Sequence, residues 1–156
     1  MEECAKSFSC KDYQWKIEIM LASTLIAASA VITGLLGSVH LLFTFNGPKL
    51  HPRNKNVMLA MEHTCPVITK ETTVWRATVG FNASHSMGLM LFGIIYPYLV
   101  LAQPTMFWQS TFLMTLGLVV LLAYLTLAKL YWFSVPFRGV ALATALYVAG
   151  LTVHAA

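Results

Sequence analysis

The chain has 156 residues, of which 58% are hydrophobic and 10% are charged, and its formal net charge is +4. Ordinary soluble domains are about 45–50% apolar and about 25% charged, so this composition excludes a typical soluble domain and indicates an integral membrane protein. The basic residues do not cluster with aromatic residues on a polar face, which argues against nucleic acid as a partner. A single domain over residues 1–156 is expected at this length.

The N-terminal stretch MEECAKSFSCKDYQWK is polar and of mixed charge. The apolar run that follows is too long for the hydrophobic part of a signal peptide, so we expect it to be retained as a membrane helix. Cys4 and Cys10 would form a small disulfide if this end faced an oxidising compartment. Free thiols are the default expectation for both.

Four segments are long and apolar enough to span a membrane, since a spanning helix needs about 20 mostly apolar residues. They cover about residues 17–45, 73–101, 105–131 and 137–154. The connections AQPT and WFSVP are very short, so the helices that they join should be antiparallel neighbours. The sequence therefore predicts an all-α fold: a polytopic membrane protein with four transmembrane helices in an up-down bundle and a long first loop.

The first loop, at about residues 46–72, is long for a protein of this size. Its NVMLAME stretch predicts a short helix lying at the membrane interface. A loop of this length is either functional or a polar cover over the bundle, and the sequence favours neither alternative.

The basic residues predict the orientation in the membrane. With four spans, one side holds Lys6, Lys11 and Lys16, and the other holds Lys49, Arg53, Lys55, Lys70, Arg76, Lys129 and Arg138. Cytoplasmic loops carry an excess of Lys and Arg, so the first and third loops should be cytoplasmic and both termini should face outward.

The second predicted helix carries a polar stripe, because an α-helix turns by about 100° per residue. The residues on one narrow sector of that helix are Glu71, Trp75, Thr78, Asn82, His85, Ser86, Gly93 and Tyr96, interrupted by Leu89. Polar and ionisable side chains in the middle of a span usually face the interior of the bundle. His85 with Asn82 would either bind a ligand, relay protons or only hydrogen-bond to another helix.

The first predicted helix offers a partner face, formed by Ser29, Thr33, Gly37, His40 and Thr44. Gly37 permits close helix approach. Aligning the ends of the two helices places His40 level with Thr78, so His85 should lie about 10 Å deeper. We therefore predict a candidate ligand pocket that is formed by His40, Trp75, Thr78, Asn82, His85, Ser86 and Tyr96.

Other candidate sites are weaker. Arg76 and Arg138 lie at predicted helix ends, where they would contact lipid headgroups or another anion. The sequence assigns no catalytic residue and leaves the cofactor unknown. No metal site is predicted, because the histidine spacing fits no standard ligand pattern.

The stretches ITKETTVWRATVGFNASHSMGLMLFG and YWFSVPFRGVAL resemble a family of small bacterial four-helix integral membrane proteins. The most specific part is the pattern WR-x4-FNxSHSxG, which begins at Trp75 and ends at Gly88. The resemblance implies a bacterial inner-membrane protein and no particular activity.

In size and helix count the chain is also similar to the membrane glutathione-transferase and eicosanoid-synthase superfamily. Arg76 and Asn82 are the nearest counterparts of the arginine and asparagine on that superfamily's second helix. The charged run expected just before the arginine is replaced by Thr72-Thr73-Val74-Trp75. No catalytic roles are therefore carried over.

Three functions are compatible with the sequence. The first is a non-enzymatic membrane protein that binds a small lipophilic ligand or acts as a subunit of a membrane complex, and the bilayer is its partner in either case. The second is a small membrane enzyme on a lipophilic substrate, and the third is a transporter or proton-relay component that uses His85. A chain of this size would need to form a homo-oligomer to build a transport pathway.

Overall fold

The computed structural model describes residues 2–155, with side chains for residues 13–155. The elements in chain order are α1 (Glu2–Phe45), a 3-10 helix (Pro48–Leu50), α2 (Lys55–His63), α3 (Val74–Ala102), α4 (Pro104–Trp108), α5 (Thr111–Tyr131) and α6 (Ser134–Ala155). No strand occurs among residues 2–155, so the prediction of an all-α fold is confirmed. The side chains of Cys4 and Cys10 lie outside those described, so their pairing stays a prediction.

Within the described part of the chain, four helical segments are long and apolar enough to cross a membrane. They are Tyr13–Phe45, Val74–Ala102, Thr111–Tyr131 and Ser134–Ala155. This finding confirms the predicted number and order of the apolar segments. Between the first two lies α2, which confirms the short helix predicted over NVMLAME.

The first helix begins earlier than predicted. It starts at Glu2 rather than near residue 17. The residues before the apolar run are polar but include no proline and no glycine, so nothing in them breaks a helix. A change from apolar to polar residues therefore shows where the apolar run begins, but it does not show where the helix begins.

The third predicted helix is divided in two. A single helix was expected over 105–131, but α4 ends at Trp108 and α5 begins at Thr111. Ser110 separates them as the N-cap of α5, and its side-chain oxygen accepts a 3.3 Å hydrogen bond from the backbone N–H of Leu113. Serine is a favoured N-cap residue, so Ser110 indicates a helix start that hydropathy alone does not predict.

Both remaining long helices contain a proline. Pro136 lies in the first turn of α6, which begins at Ser134 rather than near residue 137. Proline is tolerated there because a first-turn N–H has no helical partner. Pro97 lies inside α3 and removes the helical hydrogen bond to the carbonyl of Gly93.

Many hydroxyl groups on the long helices bond to their own helix. Serine and threonine side chains donate to the carbonyl four residues earlier at 2.8–2.9 Å, at Thr24, Thr33, Ser38, Thr44, Thr78, Ser86, Thr126 and Thr144. These bonds satisfy the hydroxyl donors without help from another helix.

The described chain divides into two compact units, one of Met1–Thr33 with Phe92–Ala156 and one of Gly34–Leu91. The core of the first unit is apolar and aromatic. Its fully or almost fully buried side chains include Ile26, Tyr96, Phe107, Leu121 and Tyr147. Each such side chain contributes through many close van der Waals contacts.

Polar groups in this core are paired across helices. Ser29 Oγ donates to the carbonyl of Ala143 at 2.6 Å, and Tyr147 Oη donates to the carbonyl of Met114 at 3.0 Å. Tyr147 packs closely on Gly117, where an added Cβ atom would collide with the tyrosine ring. The first unit therefore has a specific packing arrangement rather than a general apolar interior.

The second unit, Gly34–Leu91, contains the end of α1, the 3-10 helix, α2 and most of α3. Gly47 has φ of 87°, a conformation that glycine adopts without strain, and it ends α1 just before Pro48. The backbone N–H of Val74 donates to the carbonyl of Thr64 at 2.8 Å, which ties the start of α3 to the end of α2.

Candidate functional site

Three polar side chains from α1 and α3 meet in the Gly34–Leu91 unit, and we call them the histidine cluster: His40, Asn82 and His85. The imidazole rings of His40 and His85 are 5.8 Å apart between centroids and meet edge to face at 82°. His40 Nε2 lies 3.4 Å from Asn82 Oδ1. All three side chains are partly buried.

The predicted depth difference between the two histidines is wrong. His85 was expected about 10 Å deeper than His40, yet their rings are in contact. The register is set by Gly37, where an added Cβ atom would lie 2.7 Å from Leu89 Cβ and 2.8 Å from the carbonyl oxygen of Ser86. Aligning the helix ends failed because α3 begins several residues beyond the level at which α1 ends.

The antiparallel register brings the imidazoles together. Gly37 of α1 contacts Leu89 of α3, and His40, later in α1, contacts Asn82, earlier in α3. The two segments are therefore antiparallel here. His40 follows Gly37 by about one turn and His85 precedes Leu89 by about one turn, so the two histidines lie at about the same level.

Two hydroxyls of the predicted pocket donate hydrogen bonds within their own helix. Thr78 Oγ1 donates to the carbonyl of Val74 and Ser86 Oγ donates to the carbonyl of Asn82, both at 2.8 Å. A hydroxyl has one donor, so neither group has a hydrogen left to donate to a ligand. The imidazoles and the amide are thus the polar groups that define this site.

The hydrogen bond inside the cluster is long. An N–H···O bond is usually 2.7–3.2 Å, whereas His40 Nε2 and Asn82 Oδ1 are 3.4 Å apart. With Asn82 presenting its carbonyl oxygen, His40 must carry its proton on Nε2 to act as the donor. A bond of this length contributes little stability, so either partner can exchange it for a bond to a bound molecule.

Trp75 contacts a residue that the sequence did not indicate. Its ring meets the imidazole of His51 edge to face, with 4.8 Å between centroids. His51 follows the 3-10 helix directly, in the segment between α1 and α3. No spacing rule links position 51 to position 75, so the sequence could indicate only that this segment contains histidines.

The structure does not place all predicted site residues in the cluster. Tyr96 belongs to the other unit, where its hydroxyl donates to the carbonyl of Leu113 at 3.0 Å and its ring stacks on Phe92 at 4.2 Å. Arg76 and Arg138 are exposed, and Arg138 also belongs to that other unit.

The possible metal ligands are few at this site. Among the described residues, no group of three or more His, Cys, Asp or Glu side chains is close enough to share a metal ion. His40 and His85 would supply two nitrogen ligands, whereas a structural zinc takes four protein ligands. His63 lies in α2 and is exposed, as is the free thiol of Cys65.

Comparison of the chain with protein-family models, curated proteins and solved structures finds no match. The resemblance that was based on the WR-x4-FNxSHSxG pattern therefore stays a prediction.

Proposed function

We propose that the chain is an integral membrane protein that binds a small lipophilic ligand at the histidine cluster. The membrane location is supported by the low burial of the four apolar segments. Between 17% and 39% of the residues in their most apolar windows are buried inside the protein. Apolar surface of this extent would be strongly unfavourable in water, so lipid or a partner subunit must cover it.

The proposed topology is an up-down bundle with the first and third loops in the cytoplasm and both termini outside. Seven basic residues (Lys49, Arg53, Lys55, Lys70, Arg76, Lys129 and Arg138) would then lie on the cytoplasmic side, against Lys6, Lys11 and Lys16 outside. The bacterial inner membrane is the location that the motif resemblance implies. Homo-oligomers or a larger membrane complex would cover apolar faces in the same way as lipid.

Thiol labelling tests this topology. With Cys4 and Cys10 replaced by serine, Cys65 is the one remaining native cysteine, and it is exposed in the first loop. We expect a membrane-impermeant maleimide to label Cys65 in inverted vesicles and to leave it unlabelled in intact cells. In the same background without Cys65, an Ala155→Cys variant should show the opposite pattern. Labelling of both positions from one side would contradict the four-span topology.

The observation that carries the ligand proposal is the meeting of two imidazoles and one amide at His40, Asn82 and His85. His40 lies five residues before the end of α1, or about 7 Å along the helix. Polar groups at such a depth are costly in lipid unless they are paired or functional. The hydrogen bond between His40 and Asn82 is weak, because it is 3.4 Å long.

The chemistry of the cluster defines the ligand class. Neutral imidazole offers one donor and one acceptor, and the amide of Asn82 offers both. A shallow site with neutral hydrogen-bonding groups suits an amphipathic molecule, with an apolar body in the lipid and a polar neutral head at the cluster. Affinity would come mostly from apolar burial, while the cluster would fix the position of the head.

The test is to identify what accompanies the purified protein. Native mass spectrometry and an absorption spectrum of protein in a mild detergent should reveal a bound molecule. We expect occupancy to fall about tenfold in His85→Ala and in His40→Ala, because each variant removes a buried hydrogen bond to the ligand. His40→Gln keeps an amide that can reach Asn82, so it should retain part of the binding.

His63→Ala is the matched control, because His63 is exposed on α2, outside the cluster. It should keep full occupancy. Far-UV circular dichroism of every variant separates loss of ligand from loss of fold. A wild-type protein with no bound molecule and a featureless spectrum would reject the proposal, as would equal occupancy in all variants.

A further inference from the structure

A second site of different chemistry lies in the other unit, Met1–Thr33 with Phe92–Ala156. A cavity of about 470 Å³ is lined by Trp15, Ile19, Thr105, Trp108, Gln109 and His154, and we call it the aromatic cavity. Its volume falls within the usual range for small-molecule sites, about 300–1,000 Å³. Trp15 and His154 lie close to the ends of candidate spans, at Tyr13 and Ala155.

The wall of the aromatic cavity is held in place by packing and by one hydrogen bond. The imidazole of His154 stacks on the indole of Trp108, with 4.1 Å between centroids and 28° between planes. Trp108 Nε1 donates to Ser23 Oγ at 3.1 Å, and the side chain of Trp108 is 8% exposed. The stacked pair is therefore a preformed flat surface.

His154 lines this cavity, and the state of its buried nitrogen indicates where the ring carries its proton. Its Nδ1 is buried and hydrogen-bonds to no atom of the described residues. A buried N–H without a partner is rarer than a buried acceptor without one, so the proton belongs on Nε2. Since His154 lines the cavity, its Nε2–H is the donor that a bound molecule would meet.

The rest of the lining defines the charge of the ligand. None of the described side chains that line the aromatic cavity is charged. Gln109 and Thr105 add neutral donors and acceptors, and Ile19 and Trp15 add apolar surface. A charged headgroup would lose hydration here without gaining an ion pair, so the cavity favours a neutral ligand.

We propose that the aromatic cavity binds the head of a membrane-soluble quinone. A quinone head is neutral and planar, which suits stacking on the exposed indole of Trp15. Its carbonyl oxygens are acceptors for the Nε2–H of His154 and for the amide of Gln109. The quinone tail is apolar and would extend along the candidate spans into lipid. This inference rests on the proposed membrane location but not on the histidine cluster.

Tryptophan fluorescence provides the test, because quinones quench indole emission at contact. The chain has four tryptophans, and replacing Trp75 and Trp132 with phenylalanine leaves Trp15 and Trp108 as reporters. We titrate this purified variant in maltoside detergent with ubiquinone-1, a short-chain quinone. Saturable quenching is the expected result.

His154→Phe isolates the hydrogen bond, since the phenyl ring can still stack on Trp108. We expect its dissociation constant for ubiquinone-1 to rise about tenfold. Gln109→Leu changes an exposed position of the lining and should also raise the dissociation constant for ubiquinone-1. It provides the test if His154→Phe does not fold. His63→Phe should bind like the parent protein.

Three results would overturn the inference. They are quenching that rises without saturation, an unchanged dissociation constant in both cavity variants, and displacement of the quinone by tetramethylammonium, which would indicate a cation site. Binding in detergent solution does not depend on the histidine cluster. A failure of this inference is therefore distinguishable from a failure of the ligand proposal at His40 and His85, which is tested by the molecule that co-purifies.

Discussion

Gly37→Ala is expected to lower the free energy of unfolding and to disrupt the histidine cluster. The added Cβ atom would lie 2.7 Å from Leu89 Cβ and 2.8 Å from the carbonyl oxygen of Ser86. The second atom belongs to the backbone of α3, which cannot rotate away as a side chain can. The two helical segments must therefore separate, and overpacking of this kind costs about 1–3 kcal/mol.

Displacement of α1 at Gly37 should also change the geometry of the histidine cluster. His40 lies one turn after Gly37, so a displacement of α1 there lengthens the 3.4 Å separation between His40 and Asn82. We expect a lower denaturant midpoint in mixed micelles, followed by far-UV circular dichroism, together with loss of the co-purifying molecule. A Gly37→Leu variant should be worse than Gly37→Ala in both measurements.

Gly80→Ala is the matched control. Gly80 is exposed on the same α3 helix, and an added Cβ atom there has no other atom within 4 Å. Alanine is favoured over glycine in helix interiors by about 1 kcal/mol or less, so this variant should be as stable as the parent or slightly more stable. Equal destabilisation by both substitutions would contradict the close contact at Gly37.

The largest loss of stability is expected from Tyr147→Ala. Tyr147 is 0% exposed and contacts Gly117, and its hydroxyl donates to the carbonyl of Met114 at 3.0 Å. Truncating a buried aromatic side chain to alanine costs about 3–5 kcal/mol through lost apolar contact and the cavity left behind. The free energy of unfolding, measured by the same denaturation in mixed micelles, should fall by that amount.

Two further variants divide this effect into its parts. Tyr147→Phe keeps the ring and removes the hydroxyl, so it should cost about 1 kcal/mol. Tyr131→Ala removes the same side chain from a position that is 77% exposed, and it should change stability by less than about 0.5 kcal/mol. If Tyr131→Ala were as harmful as Tyr147→Ala, the packing around Tyr147 would not be the source of the loss.

Hydropathy predicted the elements well because the apolar runs are long. The ends of α3 lie within one residue of the predicted 73–101, at Val74 and Ala102. Hydropathy does not predict the break between α4 and α5, because Ser110 begins α5 by a local hydrogen bond that leaves mean hydropathy almost unchanged. Helix ends of this kind depend on single residues.

The candidate site was predicted only in part. Helical periodicity puts Asn82 and His85 on one face, and the structure brings His40 into contact with both of them. Gly37, on the same face of α1 as His40, packs against Ser86 and Leu89. The register between the helices could not be derived, because it depends on where one glycine fits the backbone of α3. The stacking of His154 on Trp108 joins residues 46 positions apart in the sequence, and no periodicity within a helix reports such a contact.

The bonds that serine and threonine make to their own helix bear on how the chain would enter a bilayer. A donor already paired within its segment, as at Thr24, Thr33 or Thr44, adds little to the free energy of insertion. In a bilayer, these segments would thus be less polar than their sequence suggests. Valine, which has nearly the same size as threonine, should replace these threonines at little cost. Replacement of His40, Asn82 or His85 should instead weaken ligand binding at the histidine cluster.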